Sequence, residues 1–483
     1  MSKIKHLLPI AVCIGILTQL FACGSEESVD SSADSTDSTS TTAEIVDEYV
    51  FDQSFSGNTA RILNIEDIFS MHAVIDTGET NGDTLNDTQY EAVRRLEEEM
   101  GITWEETNVD LQTEFTTLVP QLILSGDDEY DIIYENTRDL YNFSSQGYYY
   151  NLLDFDQIQL DEDWWLKSYN DYNVINDKMY TALGYSNLTV VDAITCLNFN
   201  QSMVEELGLE LPYDYVREGT WTLDVLGTYL KAAANLNGDA DFTWTDGGSC
   251  VWGASMASNA GPQWLRDCGE YGVEFDDNSL VLTAGSERFY DVCDKIANML
   301  GATDGTIYFG TYSGDDDPGS YINCFEVERA MFGSSEIAKA NRMRGLEFTF
   351  GVLPFPKYDE NQDRYYVGVS YPASGVSIPV TCVDTDFAAA VGDAINYIFY
   401  TDVWDVFREV TLETKNLRND DSIEMLELIL NSTYPNLTEI YGIDSTFMDE
   451  ISAKLRAGDA SVASVFASHE SQLKADIEEV NNQ

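Results

Sequence analysis

Acids dominate the chemistry-bearing residues of this chain. There are 85 Asp and Glu against 25 Lys and Arg, for a formal net charge of −60. Two carboxylates can do general acid–base work, but at this density pairs arise by chance and pairing carries no information. Histidine discriminates better. There are 3, at His6, His72 and His469, without triad or metal-ligand spacing. No Gly-x-Ser-x-Gly, Gly-x-x-x-x-Gly-Lys-Ser/Thr or His-Glu-x-x-His run occurs. The 8 cysteines contain no Cys-x-x-Cys, which argues against a structural zinc or a redox motif. Asn235-Leu236-Asn237-Gly238-Asp239-Ala240-Asp241 has the oxygen-rich spacing of a calcium loop, but it lacks Gly at the sixth position and a bidentate Glu. A solvated loop is expected there. No enzyme, metal or cofactor is expected from these residues.

Aromatic and polar side chains occurring together are the stronger signal. Aromatics make up 12% of the chain, with 28 Tyr, 22 Phe and 8 Trp. Tyr134-Glu135-Asn136-Thr137-Arg138 follows the apolar pair Ile132-Ile133. Tyr185-Ser186-Asn187 lies shortly before Asp192. Trp252 and Trp264 flank a Gly-containing loop, and Ser334-Ser335 follows an apolar strand. Tyr371 and Trp404 complete the set of candidates. Aromatic faces stack on the C–H faces of rings, and planar amides, carboxylates and guanidinium groups bond in-plane hydroxyls. Each residue also has a plainer reading. The 134–138 stretch reads as a turn with solvated charges, Asp192 as a structural hydrogen bond, and Trp252, Trp264 and Trp404 as core. In Trp164-Trp165 the neighbours point to opposite faces if extended, so at most one would reach a site.

The elements that must position these residues alternate. Residues 60–71 read as a first strand or strand pair. Residues 88–100 read as a helix, with Tyr90, Val93, Leu96 and Met100 on one face and Gly101 as its stop. A second strand starts at Ile102. An amphipathic helix over 110–124 follows, and then a short buried strand at 130–134. This β-α-β-α-β order predicts a parallel sheet covered by helices. Further helices are expected at 201–208, after an N-cap at Thr222, and at 285–300, 387–399 and 461–480. A further strand is expected at 348–353, with polar loops at 235–248 and 311–321. At 483 residues, two or more lobes are expected.

Several blocks in fixed order resemble extracellular solute-binding proteins of carbohydrate-type ABC importers (family 1, maltose-binding-protein-like). They are Ala92 through Ile102, Leu124-Ser125-Gly126-Asp127-Asp128-Glu129-Tyr130-Asp131-Ile132-Ile133, and Ser145-Gln146-Gly147-Tyr148 with Leu152-Leu153-Asp154. Leu197-Asn198-Phe199-Asn200, Glu205-Glu206-Leu207-Gly208-Leu209 and Thr220-Trp221-Thr222 follow. Ala330-Met331-Phe332-Gly333 and Gly351-Val352-Leu353-Pro354-Phe355-Pro356 close the series. The resemblance covers most of residues 60–480. Met100 before Gly101, the context of Gly333, and Gln201 after Asn200 depart from the family pattern and bear on the ligand more than on the fold.

The resemblance implies an α/β, two-lobed periplasmic-binding-protein-like fold (type II), each lobe a mixed, mostly parallel sheet flanked by helices. Lobe 1 would be 58–190 plus 370–404, and lobe 2 would be 191–369 plus 405–483. Crossings would fall near 186–193, 366–370 and 401–407. The ligand would lie in the cleft between the lobes, held by Tyr134, Glu135, Asn136, Arg138, Tyr185, Asn187, Asp192, Trp252, Trp264, Ser334, Ser335, Tyr371 and Trp404. The implied function is capture of a carbohydrate, such as an oligosaccharide, and delivery to ABC permease subunits by a monomer. The alternatives are an exported glycan hydrolase and a binder of a non-sugar solute such as a peptide. A surface adhesin would not need the two-lobed α/β pattern.

The first residues address location. Lys3 and Lys5 precede an apolar run from Leu7 to Leu20, too short to span a bilayer comfortably and typical of an export signal. The run ends in Leu20-Phe21-Ala22-Cys23-Gly24, which resembles the bacterial lipobox. Residues 1–22 are expected to be a signal peptide, Cys23 to carry the lipid, and 23–57 to be a tether. Residues 24–48 are Ser, Thr, Asp and Glu with almost no large apolar side chain, and cannot bury enough surface to fold. As a flexible spacer the segment reaches about 27 Å. The protein is then expected on the bacterial cell surface, on the outer face of the cytoplasmic membrane, touching it only through the N-terminal lipid. The acidic charge opposes nucleic-acid binding. Six cysteines remain beyond Cys13 and Cys23. They are Cys196, Cys250, Cys268, Cys293, Cys324 and Cys382, expected to be buried free thiols.

Overall fold

The computed structural model describes residues 49–234, 242–245, 247–258, 260–276, 278–301, 305–311, 317–412 and 420–482. Cys23, the acidic segment and the calcium-like Asn235–Asp241 run lie outside the described residues.

Thirteen strands are named in chain order: β1 Thr59–Ile65, β2 Thr103–Val109, β3 Ile132–Asn136, β4 Thr195–Asn200, β5 Trp252–Ala257, β6 Val273–Asp276, β7 Ser279–Leu282, β8 Ile307–Gly310, β9 Ala330–Glu336, β10 Phe350–Leu353, β11 Val367–Gly368, β12 Ser374–Ser377 and β13 Thr433–Tyr434. The first sheet has the order β12-β3-β1-β2. β1 pairs in parallel with β2 (Ala60 opposite Trp104) and with β3 (Leu63 opposite Ile133). β12 joins antiparallel at the edge, Gly375 opposite Glu135. The expected β-α-β-α-β order is therefore present. A second sheet has the order β10-β4-β9-β5-β8, with β5 parallel to β8 and β9 and with β4 antiparallel to β9 and β10. Two small pairs, β11-β13 and β6-β7, lie outside these sheets.

The helices form where periodicity and caps agree. Thr84–Met100 starts on Asp83, whose side chain accepts from Leu85 and Asn86 N–H, and ends at Gly101 in the left-handed region (φ 69°). Its buried face is Leu85, Gln89, Ala92, Val93, Leu96 and Met100. Thr222 caps Leu223–Ala233 by accepting from Val225 N–H. The expected helix over 110–124 has a different first turn. Leu111–Phe115 is a wide π-turn that feeds the α-helix Thr116–Ser125.

Two further features depart from expectation. Residues 49–57, expected as part of a tether, pack against the fold. Tyr49 stacks on Tyr397 at 4.3 Å, and its hydroxyl donates to Asp393 at 3.0 Å. Tyr49, Phe51 and Phe55 supply the apolar surface that the acidic segment before them lacks. Trp164 and Trp165 do not diverge to opposite faces. The chain there is an irregular turn instead of a strand, and both indole N–H groups donate to Asp393 Oδ1 at 3.0 Å.

The six cysteines from Cys196 to Cys382 are buried, and none is joined in a disulfide. Burial pushes the Cys196 and Cys293 thiols up to about 12, which leaves little reactive thiolate at neutral pH. No helix among the described residues is long and apolar enough to cross a membrane.

Candidate functional site

The chain passes from the first sheet to the second just before β4 and returns just after β11. These two passages lie side by side. Ile194 bridges Val369 in antiparallel fashion, Ser370 N donates to Ala193 O at 2.8 Å, and Thr195 Oγ1 donates to Gly368 O at 3.1 Å. A cleft of about 260 Å3 opens beside them. One wall comes from the first-sheet side, with Phe69, Met71 and Tyr371. The other comes from the second-sheet side, with Ser334, Ser335 and Glu336 on β9 and Gln263 and Arg266 on the helix Gly261–Asp267.

Phe69 is the most exposed ring of the cleft, at 40% of its surface. It sits with Ser70 at the centre of a two-residue turn, both with left-handed backbone (φ 56° and 67°). Met71 N–H closes the turn on Ile68 O at 2.8 Å. Such φ values are costly without glycine, and neighbouring groups fix the turn. His72 gives both its backbone N–H and ring Nδ1 to Asp192 Oδ2 at 2.7 Å. Lys339 Nζ, which follows β9, donates to Phe69 O at 2.9 Å. Burial works against charge on His72, but the hydrogen bond and field of Asp192 outweigh it and hold the imidazole above its ordinary pKa. The Asp192 carboxyl is raised by burial and pulled back in part by His72.

Tyr371 presents a half-exposed ring. Its hydroxyl accepts from Gln112 Nε2 at 2.8 Å, the guanidinium of Arg138 lies 4.7 Å from its centroid, and Phe69 stands edge-on at 6.3 Å. Across the cleft Arg266 lies against the backbone of Gly368. A Cβ there would sit 1.7 Å from the guanidinium carbon, so glycine lets the guanidinium occupy this position and any other residue would displace it. Arg266 Nη2 reaches Thr195 Oγ1 at 3.4 Å and Nε reaches Asp267 Oδ1 at 3.3 Å. Burial raises the carboxyl of Glu439 on the same rim, while Asn436, Arg266 and Arg138 draw it back. Aromatic faces, the Arg266 guanidinium, carboxylates, an amide and serine hydroxyls thus converge on one concave space. This chemistry can hold a hydroxyl-bearing ring ligand by stacking and in-plane hydrogen bonds.

Of the residues expected at the site, the cleft brings together Ser334, Ser335 and Tyr371, with Arg138 stacked behind Tyr371. Others are placed elsewhere. Tyr134 is fully buried, its hydroxyl paired with Ser186 Oγ at 2.8 Å. Glu135 is buried beneath Tyr149, whose hydroxyl donates to it, and burial raises its carboxyl well above the usual range. Asn136 bonds Glu135 and Asp139, each at 3.0 Å. Asn187 Nδ2 donates to Asn64 Oδ1 and Ala73 O. Asp192 acts on the Phe69 turn through His72. Trp252 packs with Trp244 and Tyr308, and Trp264 packs on Phe355. Tyr185 and Trp404 line a different pocket.

Phe69, Gln263, Arg266, Glu336 and Glu439 were not anticipated. Gln263 and Arg266 had a local signal, since they stand three apart on a helix opened by Gly261-Pro262 and so share a face. Phe69 had none, because its exposure follows from a strained turn. Among the described residues one acid–thiol group has metal-like spacing, Asp128, Asp131 and Cys382. Arg61 already bonds both carboxylates, so the charge is met by a guanidinium.

No family model matches the sequence, and no curated protein matches it. Solved structures do match in fold. A cyclic α-maltosyl-1,6-maltose binding protein from Arthrobacter globiformis is 14% identical with a TM-score of 0.59, over 88% of this chain and 99% of that one. A galacto-N-biose/lacto-N-biose I-binding protein of an ABC transporter from Bifidobacterium longum, solved with lacto-N-biose, is 14% identical with a TM-score of 0.55, over 89% and 98%. A receptor from Streptomyces glaucescens, solved unliganded and with acarbose, is 12% identical with a TM-score of 0.54, over 86% and 98%. The chain therefore has the α/β, two-lobed, maltose-binding-protein-like fold of solute-binding proteins, with mixed sheets flanked by helices. These structural neighbours are binding proteins.

Proposed function

We propose that the protein captures a carbohydrate in the cleft between its two lobes and delivers it to an ABC permease. The observation that carries this reading is the cleft itself. The half-exposed rings of Phe69 and Tyr371 share the cleft with Ser334 and Ser335 of the second sheet and with Gln263 and Arg266 of the helix Gly261–Asp267, so a ligand seated there touches both sides. A ligand with differential affinity for the closed arrangement drives closure. The fold it shares with sugar-binding proteins supports the same reading. Lobe 1 is taken as 58–190 plus 370–404 and lobe 2 as 191–369 plus 405–483, joined by the paired passages at Ala193–Thr195 and Gly368–Ser370.

Within this reading the protein is a passive binder. The permease and its ATPase supply the energy of transport. Cys23 carries a lipid that holds the chain, as a monomer, to the outer face of the cytoplasmic membrane.

The test is calorimetric titration of Tyr371→Ala and Arg266→Ala with whichever oligosaccharide the wild type binds. Loss of the ring removes a stacking face, and loss of the guanidinium removes charged hydrogen bonds. Each should weaken binding by on the order of 1–3 kcal/mol. Unchanged affinity in both variants would place the ligand elsewhere.

A further inference from the structure

Tyr185 and Trp404 carry aromatic faces that the cleft does not use. They line a second pocket of about 400 Å3 together with Tyr400, and it shares no lining residue with the cleft. That volume is in the range of small-molecule sites. The rings of Tyr400 and Trp404 stand 5.3 and 5.0 Å from Tyr185, tilted by 55° and 57°, so the three make a concave corner and not a flat stack.

Several polar groups of this pocket are unspent, although Trp165 and Ser168 are bonded to Asp393 and Leu430. Among the described residues, the side chains of Tyr185, Tyr400, Trp404, Asp163, Glu427 and Asn431 make no hydrogen bond. This is unlike the inner positions of β3, where Tyr134, Glu135 and Asn136 are all engaged. The corner therefore offers two phenol hydroxyls, an indole N–H, an amide and two carboxylates to an incoming ligand.

Charge narrows the class of ligand. Two basic side chains also line the pocket, and each is already paired: Lys167 with Asp161 at 2.9 Å, and Arg408 with Asp405 at 3.0 Å. Asp163 and Glu427 oppose an anion, and Lys167 and Arg408, held by their own carboxylates, are not free to bind one. A neutral ligand rich in hydroxyls, with an apolar ring face, matches the aromatic corner and its hydrogen-bonding groups.

We propose that this pocket is a second ligand site, separate from the cleft, that takes a neutral pyranose-sized carbohydrate. The ring seats on Trp404 and Tyr185, and its hydroxyls are bonded by Asp163, Glu427 and Asn431.

The probes are D-glucose, D-galactose and D-mannose at millimolar concentration, followed by ligand-observed saturation-transfer NMR. The proteins are the wild type, Tyr371→Ala in the cleft, and Trp404→Ala, Trp404→Phe and Asn431→Ala in this pocket, each with a melting curve. At least one monosaccharide should bind Tyr371→Ala as it binds the wild type. Its affinity should fall by about tenfold in Trp404→Ala and recover in part in Trp404→Phe. Asn431 is an exposed rim residue and should report the same loss if Trp404→Ala fails to fold. Absence of any binding that depends on Trp404 or Asn431 overturns the proposal, whatever happens in the cleft. Trp404-dependent binding of tetramethylammonium in preference to the sugars overturns it in favour of a cation site. A cleft that binds no sugar would sink the transport reading and leave this pocket standing.

Discussion

Asp267 is wholly buried beside Arg266. Its Oδ1 accepts from Arg266 Nε at 3.3 Å, and its Oδ2 has no partner. Burial pushes this carboxyl up to about 7, against a smaller opposing pull from Arg266. The sign of the effect on stability follows. Between the ordinary carboxylate range and about pH 7, the folded chain keeps the proton while the unfolded chain has released it. The contribution of Asp267 is therefore full in acid and is lost as pH rises through about 7. Asp267→Asn, which keeps the shape and removes the titration, should flatten that part of the stability curve. Urea denaturation from pH 5 to 8 checks this, and a slope unchanged by the substitution would mean that Asp267 is ionised throughout. The position matters for the cleft because Asp267 helps fix the guanidinium that lines it.

The decisive arrangement among the elements is β11 against the helix Gly261–Asp267. Arg266 points into the cleft because Gly368 offers no Cβ to block it. Gly368→Ala should displace the guanidinium, weaken ligand binding and cost about 1–3 kcal/mol in stability. Titration and melting of the one variant check both, and a variant that binds and melts as the wild type would show that Arg266 has room to spare.

The same region shows how much the sequence could reveal. The parallel β-α-β-α-β unit, the helix stop at Gly101 and the cap at Thr222 were legible because periodicity and capping are local, whereas the Asp83 cap, ahead of the helix start expected at 88, was not. Ser334 and Ser335 were legible as polar residues next to an apolar run, though they lie inside β9, and Tyr371 through the crossing that the family resemblance implied. Tyr134, Glu135 and Asn187 look the same in sequence but are covered by Ser186, Tyr149 and Asn64, partners 14 to 123 residues away. Only tertiary packing separates the two groups. The turn carrying Phe69 was hidden for a similar reason: Asp192 and Lys339, 120 and 270 residues distant, fix the backbone around it. Trp164 and Trp165 converge because a buried Asp393 accepts from both, along with Tyr49 and Gln159.

Across the described residues, two sheets share paired passages with a cleft beside them, and the stretch from Tyr49 packs on the first-sheet side. A chain tethered through Cys23 would work beside a membrane-embedded permease. Cys23→Ser should therefore release the protein from the membrane fraction while leaving ligand affinity in the purified chain unchanged. Fractionation of expressing cells reads the first, and titration reads the second. Membrane association at the wild-type level would exclude lipid attachment at this cysteine.

The central claim is that the cleft binds carbohydrate without transforming it. The most direct test is a thermal-shift and calorimetric screen of the purified chain against a panel of oligosaccharides, with the solution analysed afterwards for products. The account predicts that at least one oligosaccharide binds and stabilises the fold, by ~2.7 kcal/mol at one hundred times its Kd. It also predicts that this sugar is recovered intact. No stabilisation by any sugar, alongside stabilisation by peptides, would contradict the claim, as would hydrolysis of a bound sugar at a rate that depends on one carboxylate.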